Sequence, residues 1–253
     1  MKKISIITVT YNCQHTLKET IDSINKQSAR EHIEYIIIDG QSTDNTLTII
    51  ENNASAIDHW ISEPDKGIYD AMNKGLELAT GDWIGFLHAD DMFYNEFVIE
   101  SILQQVENTH YNAVYGNLNY IQEEPPYKTV RHWKSQNYSP KLLKRGWMPP
   151  HPTVYIKRDL IKSLGKFNTN FRISADYDYM LRLFSNEATM SLFIDKTLIN
   201  MRLGGVSNNS IKNIIRKSKE DLRALKNNNV GGIYALFIKN FSKLIQFVTK
   251  DHS

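Results

Sequence analysis

The chain has a single cysteine, Cys13, among 253 residues. An internal disulfide framework is therefore excluded, and a reducing compartment is expected. No apolar run approaches the roughly 20 residues that a membrane-spanning helix requires. The opening stretch MKKISIITVTYN has an apolar run too short for a secretory signal, ending in polar Thr10 and Asn12. There is no repeat, linker or low-complexity segment. The twelve glycines never fall into a dinucleotide fingerprint or a P-loop. TVTYNCQHTLKET, which follows the first apolar run, contains none, so bare backbone cannot cradle a pyrophosphate there.

What is present is a chain 41% hydrophobic, enough for one sizeable core. The net charge of +2 is unevenly placed. From Ile211 to the end, nine Lys/Arg face three Asp/Glu, giving +6 and leaving −4 for the rest. A basic tail on a slightly acidic body suggests an anionic surface as partner. In that tail, Ile233, Leu236, Phe237, Leu244, Phe247 and Val248 form an apolar stripe with Lys239 and Lys243 nearby. Such a helix either lies on an anionic membrane or docks on its own domain, and both readings stand.

The first half alternates buried-strand patterns with helical ones. ISIITVT, IEYIIIDG, IDHWIS and DWIGFLHADD read as strands, and LKETIDSINKQ, STDNTLTIIEN and GIYDAMNKGLELA as helices. That alternation predicts βαβ units and an α/β fold with a mostly parallel sheet. In the second half, AVYGNLNYI and YKTVRHW read as strands around Pro125 and Pro126. MPPHPTVYIKRDLIKSLGKF reads as a loop, a strand and a helix stopped near Gly165, and SADYDYMLRLF as a helix with Ser174 as N-cap.

Ligands of such sheets bind beyond the carboxyl ends of the strands. The polar tails there are Thr8, Thr10, Tyr11 and Asn12, then Asp39 and Gly40, then Glu63, Asp65 and Lys66, then Asp90 and Asp91. The hydroxyls, ring and amide of the first tail suit a base and ribose better than a phosphate. Adjacent Asp90 and Asp91 repel, and burying either is costly without a partner. A hard cation such as Mg²⁺ or Mn²⁺, which takes one or two carboxylates plus phosphate oxygens, resolves that conflict. Capping of the following helix is the competing explanation. His151, in the proline-rich PPHPT, either meets metal, diphosphate or acceptor, or is a loop histidine without a task.

ISIITVTYN, IEYIIIDGQSTDNT, SEPDKGIYDAMNKGLELATGDWIGFLHADD and RISADYDYMLRL, in order over most of Ile4 to Leu183, resemble the family 2 inverting glycosyltransferases of the GT-A fold. The bacterial enzymes of O-antigen, capsule or exopolysaccharide synthesis are the nearest in kind. The resemblance implies a Rossmann-like GT-A domain over 1–209, with a nucleotide half to about 92 and an acceptor half to about 209. A basic amphipathic appendage over 210–253 would follow. It implies that Thr8, Thr10 and Tyr11 line the uracil or ribose pocket, that Asp39 holds base or ribose, and that Asp65 closes the nucleotide site. Asp91 would be the direct ligand of Mn²⁺ or Mg²⁺, with Asp90 facing the ribose or a metal-bound water. Asp176 matches the aspartate of the family's "ED" pair and would be the base; its glutamate is replaced by Ala175, which keeps Asp178 as a second candidate. His88 stands where the family often has an acidic or amide residue.

The implied reaction moves a sugar from a nucleotide-sugar, with a UDP-sugar expected, to a hydroxyl of a glycan or a polyprenyl-diphosphate-linked sugar. The expected location is cytoplasmic, peripheral at the inner membrane face if the tail binds lipid, and no nucleic-acid partner is expected. Two alternatives remain: a nucleotidyltransferase, which would want a glycine-rich basic first loop, and a nucleotide-binding scaffold without activity.

Overall fold

Strands buried on both faces read as β-branched runs because helices must cover them above and below. The computed structural model describes residues 4–107, 109–204 and 211–239. β1 (Ile4–Thr10) and β2 (Ile33–Asp39) are buried at every position. They pair in parallel from Ile4–Ile33 to Thr10–Asp39. β3 (His59–Ser62) adds beyond β2, and β4 (Trp83–Phe86) adds to the far side of β1, both parallel. The intervening helices are α1 (Leu17–Asn25), α2 (Thr46–Asn52) and α3 (Ile68–Leu78).

The second half runs β5 (Asp91–Phe93), α4 (Val98–Val106), β6 (Ala113–Ile121), β7 (Thr129–Trp133), α5 (Pro140–Leu143), β8 (Tyr155–Lys157), α6 (Arg158–Leu164), α7 (Ala175–Ser185), β9 (Ser191–Arg202) and α8 (Ile211–Asn227). The sheet order is β3-β2-β1-β4-β8-β6-β9-β5, with β7 also on β6. β9 runs parallel to β6, while β5, β7 and β8 run antiparallel to their neighbours. The α/β architecture expected from the sequence is thus observed: a mixed, mostly parallel sheet with helices on both faces and at the C-terminal end.

Alternation along β1 assigns the two faces. Ile7 and Val9 join the core of α3, α6 and α7, and Ile4 and Ile6 the core of α1 and α4. Because β9 lies along one edge of β6, β8 and β7 must share the other, β8 at Ala113–Val114 and β7 from Leu118 onward. The 3-10 turn His151–Thr153 is tied in between: the Gly116 N–H donates to Thr153 Oγ1 at 3.2 Å. That turn delivers His151 to the end of β4.

The described part of the C-terminal segment docks on its own domain. Ala224 and Leu225 of α8, Val230 of the connection that follows it and Ala235 of the helical run 232–239 join the α7 core. Lys239 does not snorkel to a surface. Its Nζ donates to Asp221 Oδ2 at 2.8 Å, both side chains are buried, and the ammonium lies 3.0 Å from the Tyr177 ring centre. Burial pushes the Asp221 carboxyl up, and the Lys239 and Lys217 ammonium groups more than offset this, so its pKa lies below the ordinary value. Its stabilisation is present above the unfolded carboxyl's pKa of about 4 and is lost as pH falls through the folded value. Removing one partner of a buried pair costs about 3–5 kcal/mol. Denaturant unfolding of Lys239→Met should show a loss of that order, and an unchanged midpoint would deny the pair its structural role. Of the apolar stripe, Leu236 packs on the core, whereas Leu244, Phe247 and Val248 lie outside the described residues.

Candidate active site

The loops that leave β1 and β2 are stitched to one another, which gives the rim a fixed shape. Asn12 and Gln41 adopt left-handed φ of 54° and 61°, a conformation asparagine tolerates well. The Asn12 N–H donates to Ser42 Oγ at 2.8 Å, and its side-chain oxygen accepts from the Thr43 N–H at 2.8 Å. The Cys13 N–H donates to Thr46 Oγ1 at 2.8 Å. The amide that looked available for a ligand is therefore spent on the neighbouring loop.

Asp39 is buried beneath this rim. Its carboxylate accepts from Ser42 Oγ at 2.5 Å, the Ser42 N–H at 3.0 Å and Ser62 Oγ at 2.6 Å. Gly40 follows, and a Cβ there would lie 2.4 Å from Asp65 Oδ2 and 3.4 Å from the Tyr11 ring. Only glycine lets Asp65 and Tyr11 close on the same spot. Tyr11, 60% exposed, offers its ring to that corner. Asp65 Oδ1 accepts from the Gly67 N–H at 2.7 Å, and Lys66 beside it is exposed.

Thr8 requires a correction. It shares the inward face with Ile6 and is 0% exposed. Its hydroxyl donates to the Leu87 carbonyl at 2.7 Å and accepts from Tyr35 at 3.2 Å. It holds the β4 end against β1 and does not line the rim. Thr10, at the tail itself, is buried with its hydroxyl unpartnered.

Beyond β4 the chain reaches His88, Asp90 and Asp91. Asp90 is half-buried, whereas Asp91 is 0% exposed and neither of its side-chain oxygens has a hydrogen-bond partner. Burial drives the Asp91 carboxyl well above the usual carboxylate range, and the Asp90 charge adds to this, opposed by Arg202. Arg202, also buried, donates to the Asp90 carbonyl at 3.1 Å, to the Glu19 carboxylate and to the Tyr127 hydroxyl at 3.1 Å. His88 Nδ1 is buried without a partner. Its ring lies 5.9 Å from that of His151, which in turn stacks on Phe86 at 5.9 Å. Burial lowers the His151 pKa to about 4 and lowers that of His88, against the upward pull of nearby carboxylates. Both imidazoles are neutral at pH 7.

Asp176, half-buried in the first turn of α7, acts electrostatically on both histidines and so belongs to the same cluster. The Tyr69 hydroxyl of α3 donates to the Ile173 carbonyl at 2.6 Å and reaches Asp176 Oδ1 at 3.2 Å. Burial and the Asp176 charge both raise the Tyr69 pKa, keeping it a protonated donor. Asp178 points elsewhere. It is buried, with Oδ2 accepting from Arg182 Nε and Oδ1 from Asn228 Nδ2, each at 3.0 Å. One residue pair of separation on a helix is enough to turn it away from the rim.

Comparison with known proteins places this arrangement. Residues 5–165 match the Glycosyl transferase family 2 domain. The chain belongs to that family. A glycosyltransferase of PGL/p-HBAD biosynthesis from Mycobacterium bovis is 32% identical over 210 residues, covering 81% of this chain and 78% of the relative. An uncharacterized glycosyltransferase of Haemophilus influenzae is 26% identical over 198 residues, with 77% and 66% covered. Among solved structures, S. aureus TarS 1–349 superposes with a TM-score of 0.69 at 18% identity, over 98% of this chain and 75% of that one. The same protein is known in complex with UDP-GlcNAc, at a TM-score of 0.66 and 16% identity over 94% and 70%. The mannosyltransferase PcManGT from Pyrobaculum calidifontis, in complex with GDP-Man and Mn²⁺, gives 0.65 at 17% over 89% and 63%.

Several residues of this glycosyltransferase's rim escape a reading of motifs. Ser42 and Ser62 fix Asp39, Tyr69 grips the turn before α7, and Arg202 with Glu19 stands behind Asp90. Arg202 could have been suspected, since an arginine ends the apolar run SLFIDKTLINMR. The others carry no local signal.

Proposed function

We propose that the glycosyltransferase uses a nucleotide-sugar, specifically a UDP-sugar, and transfers the sugar with inversion to a hydroxyl of a lipid-linked glycan. The observation that carries this reading is Asp176, one half-buried carboxylate brought by α7 to the cluster that holds His88 and Asp90. Inverting displacement needs one base and no enzyme nucleophile. Asp176 takes the proton of the acceptor hydroxyl as its oxygen forms the bond to the anomeric carbon. The bond from that carbon to the diphosphate oxygen breaks, and its electron pair leaves with the nucleotide. Tyr69 fixes Asp176 through Oδ1, which leaves Oδ2 for the acceptor. Tyr11, Asp39 and Asp65 take base and ribose, with Thr10 and Lys66 at the edge. His151 forms a neutral wall behind His88.

The residues at the β4 end fit a divalent cation, because Asp91 has two buried oxygens without partners and Asp90 stands outside it. Among the described residues no three His, Cys, Asp or Glu side chains converge on one point. Such a cation would complete its coordination with substrate oxygens, as Mg²⁺ commonly does. Mn²⁺ or Mg²⁺ held by Asp90 and Asp91 would supply charge neutralisation for the diphosphate leaving group. Release of free UDP from a panel of UDP-sugars, with proton NMR of the product's anomeric configuration, tests the reading. Product with the donor's anomeric configuration retained would contradict the single-base mechanism.

A lipid-linked acceptor sets the enzyme at a membrane face. No helix of the described residues is long and apolar enough to cross one. Ile233, Tyr234 and Phe237, however, are 71%, 67% and 69% exposed on the terminal helical run. With the +6 charge of residues 211–253, they suit an anionic surface. Sedimentation with anionic vesicles should fall with added salt, since screening weakens the attraction. It should fall also in Phe237→Ser; sedimentation indifferent to both would leave the segment a docked structural element only.

A further inference from the structure

We propose that Glu220, on α8, is a positioning residue for the base. Its carboxylate holds the turn that enters α7 and thereby sets where Asp176 stands. This inference rests on the assignment of Asp176 as base.

A helix leaves its first N–H groups without partners inside the helix, and a side chain at the N-cap normally satisfies some of them. Ser174 occupies that position in α7 but makes no capping bond. Ala175, the next residue, has no polar atom to offer and is fully buried. For the Ser174 N–H, and for the two N–H groups that precede it in the turn, the acceptor comes from another element. Glu220 Oε2 accepts from the N–H groups of Ile173 at 2.8 Å and Ser174 at 3.1 Å. The Arg172 N–H lies 3.1 and 3.2 Å from the two carboxylate oxygens. Three consecutive backbone donors thus close on one carboxylate. Charge-assisted bonds of this kind are short and strong, and a helix N-terminus favours the negative charge.

Ile173 is consequently held twice, its N–H by Glu220 and its carbonyl by the Tyr69 hydroxyl at 2.6 Å. The two grips come from elements far apart in sequence, α8 and α3, and the residue they share lies three before Asp176. Glu220 is itself fixed, because its neighbour Asp221 is buried against Lys239 and Asn228 bonds to Asp178 of α7. The C-terminal segment therefore reaches the chemistry through a backbone turn without touching a substrate.

A base must lie within about 3 Å of its proton or one water away. A displacement of about 1 Å costs about 10²-fold in rate. Among the described residues the hydrogen bonds of Glu220 all go to the 172–174 turn, so its loss should appear in turnover and spare donor affinity.

The test uses the full chain and four variants: Glu220→Ala, Glu220→Gln, Leu225→Ala and Asp176→Asn. Each is assayed for kcat and donor KM, and for UDP affinity by calorimetry, well below its unfolding temperature. Glu220→Ala should lower kcat about 10- to 100-fold, with donor KM and UDP affinity within about twofold. Glu220→Gln, which still accepts through its amide oxygen, should recover a measurable part of that loss. Leu225→Ala weakens the docking of the same helix, makes none of the turn's hydrogen bonds and should keep kcat near wild type. Wild-type kcat in Glu220→Ala would overturn the inference while an inactive Asp176→Asn left the base assignment standing. Equal kcat losses in Glu220→Ala and Leu225→Ala, or no recovery in Glu220→Gln, would also overturn it by reducing Glu220 to a structural part. Should Glu220→Ala not fold, Glu220→Met, which keeps the side chain's length but accepts no such bonds, takes its place, and wild-type kcat in it overturns the inference. Full turnover by Asp176→Asn would sink the base assignment and this inference together.

Discussion

Asp176→Asn is expected to turn over at least about 10²-fold more slowly than wild type, the range for loss of a general base. Donor binding should be spared. Asparagine fills the same space, still accepts one hydrogen bond from Tyr69 and leaves the nucleotide rim untouched. The kinetic signature is therefore a fall in kcat with donor KM unchanged, as for an interaction made only in the transition state. Asp178→Asn provides the contrast. Its carboxylate is committed to Arg182 and Asn228, so the variant should lose stability and keep its turnover in whatever fraction folds. Turnover near wild type for Asp176→Asn, beside an inactive but folded Asp178→Asn, would move the base to Asp178. The buried side chain would then have to turn out of its present contacts.

The second large effect concerns the β4 end. Asp90→Asn and Asp91→Asn should each abolish the tightening of UDP binding by Mn²⁺, a tightening of about tenfold for each 1.4 kcal/mol. The two should differ in stability. Asp91 is a carboxyl whose ionised form burial disfavours and whose oxygens lack hydrogen-bond partners, so Asp91→Asn without metal should unfold at the same or a higher denaturant concentration. Asp90, half-buried, gives no such gain. If Asp91→Asn kept the full metal effect while Asp90→Asn lost it, the cation would be held by Asp90 alone and Asp91 would be an element of the core.

The central strands, the helices between them and the helix bearing Asp176 were legible because each carries its own periodicity. Asp39, Asp65, Asp90 and Asp176 were legible as strand-end or helix-end carboxylates; the structure brings Asp65 to Gly40, next to Asp39, and both Asp90 and Asp176 to His88. Thr8 was misread because Thr10, two residues on and on the same face, looks identical in sequence, while Thr8 lies deeper in the strand with its hydroxyl committed to Leu87 and Tyr35. Asp178 could not be rejected from sequence, since its i,i+4 pairing with Arg182 is also what a solvated helix face shows and its other partner, Asn228, lies far along the chain beyond α8. Tyr69 and Glu220 were invisible for the same reason. Each acts on the Ile173 turn from about 50 to 100 positions away along the chain, and no local pattern announces such a contact. The basic tail was legible as amphipathic, yet its charge count did not reveal that Lys239 folds inward onto Asp221.

Calorimetric titration of UDP into the wild-type chain, once with Mn²⁺ and once with EDTA, tests most directly that these strand ends form a metal-assisted nucleotide-sugar site. The account predicts saturable binding at one site, about tenfold or more tighter with Mn²⁺. UDP affinity equal in Mn²⁺ and EDTA, or no binding in either, would contradict it.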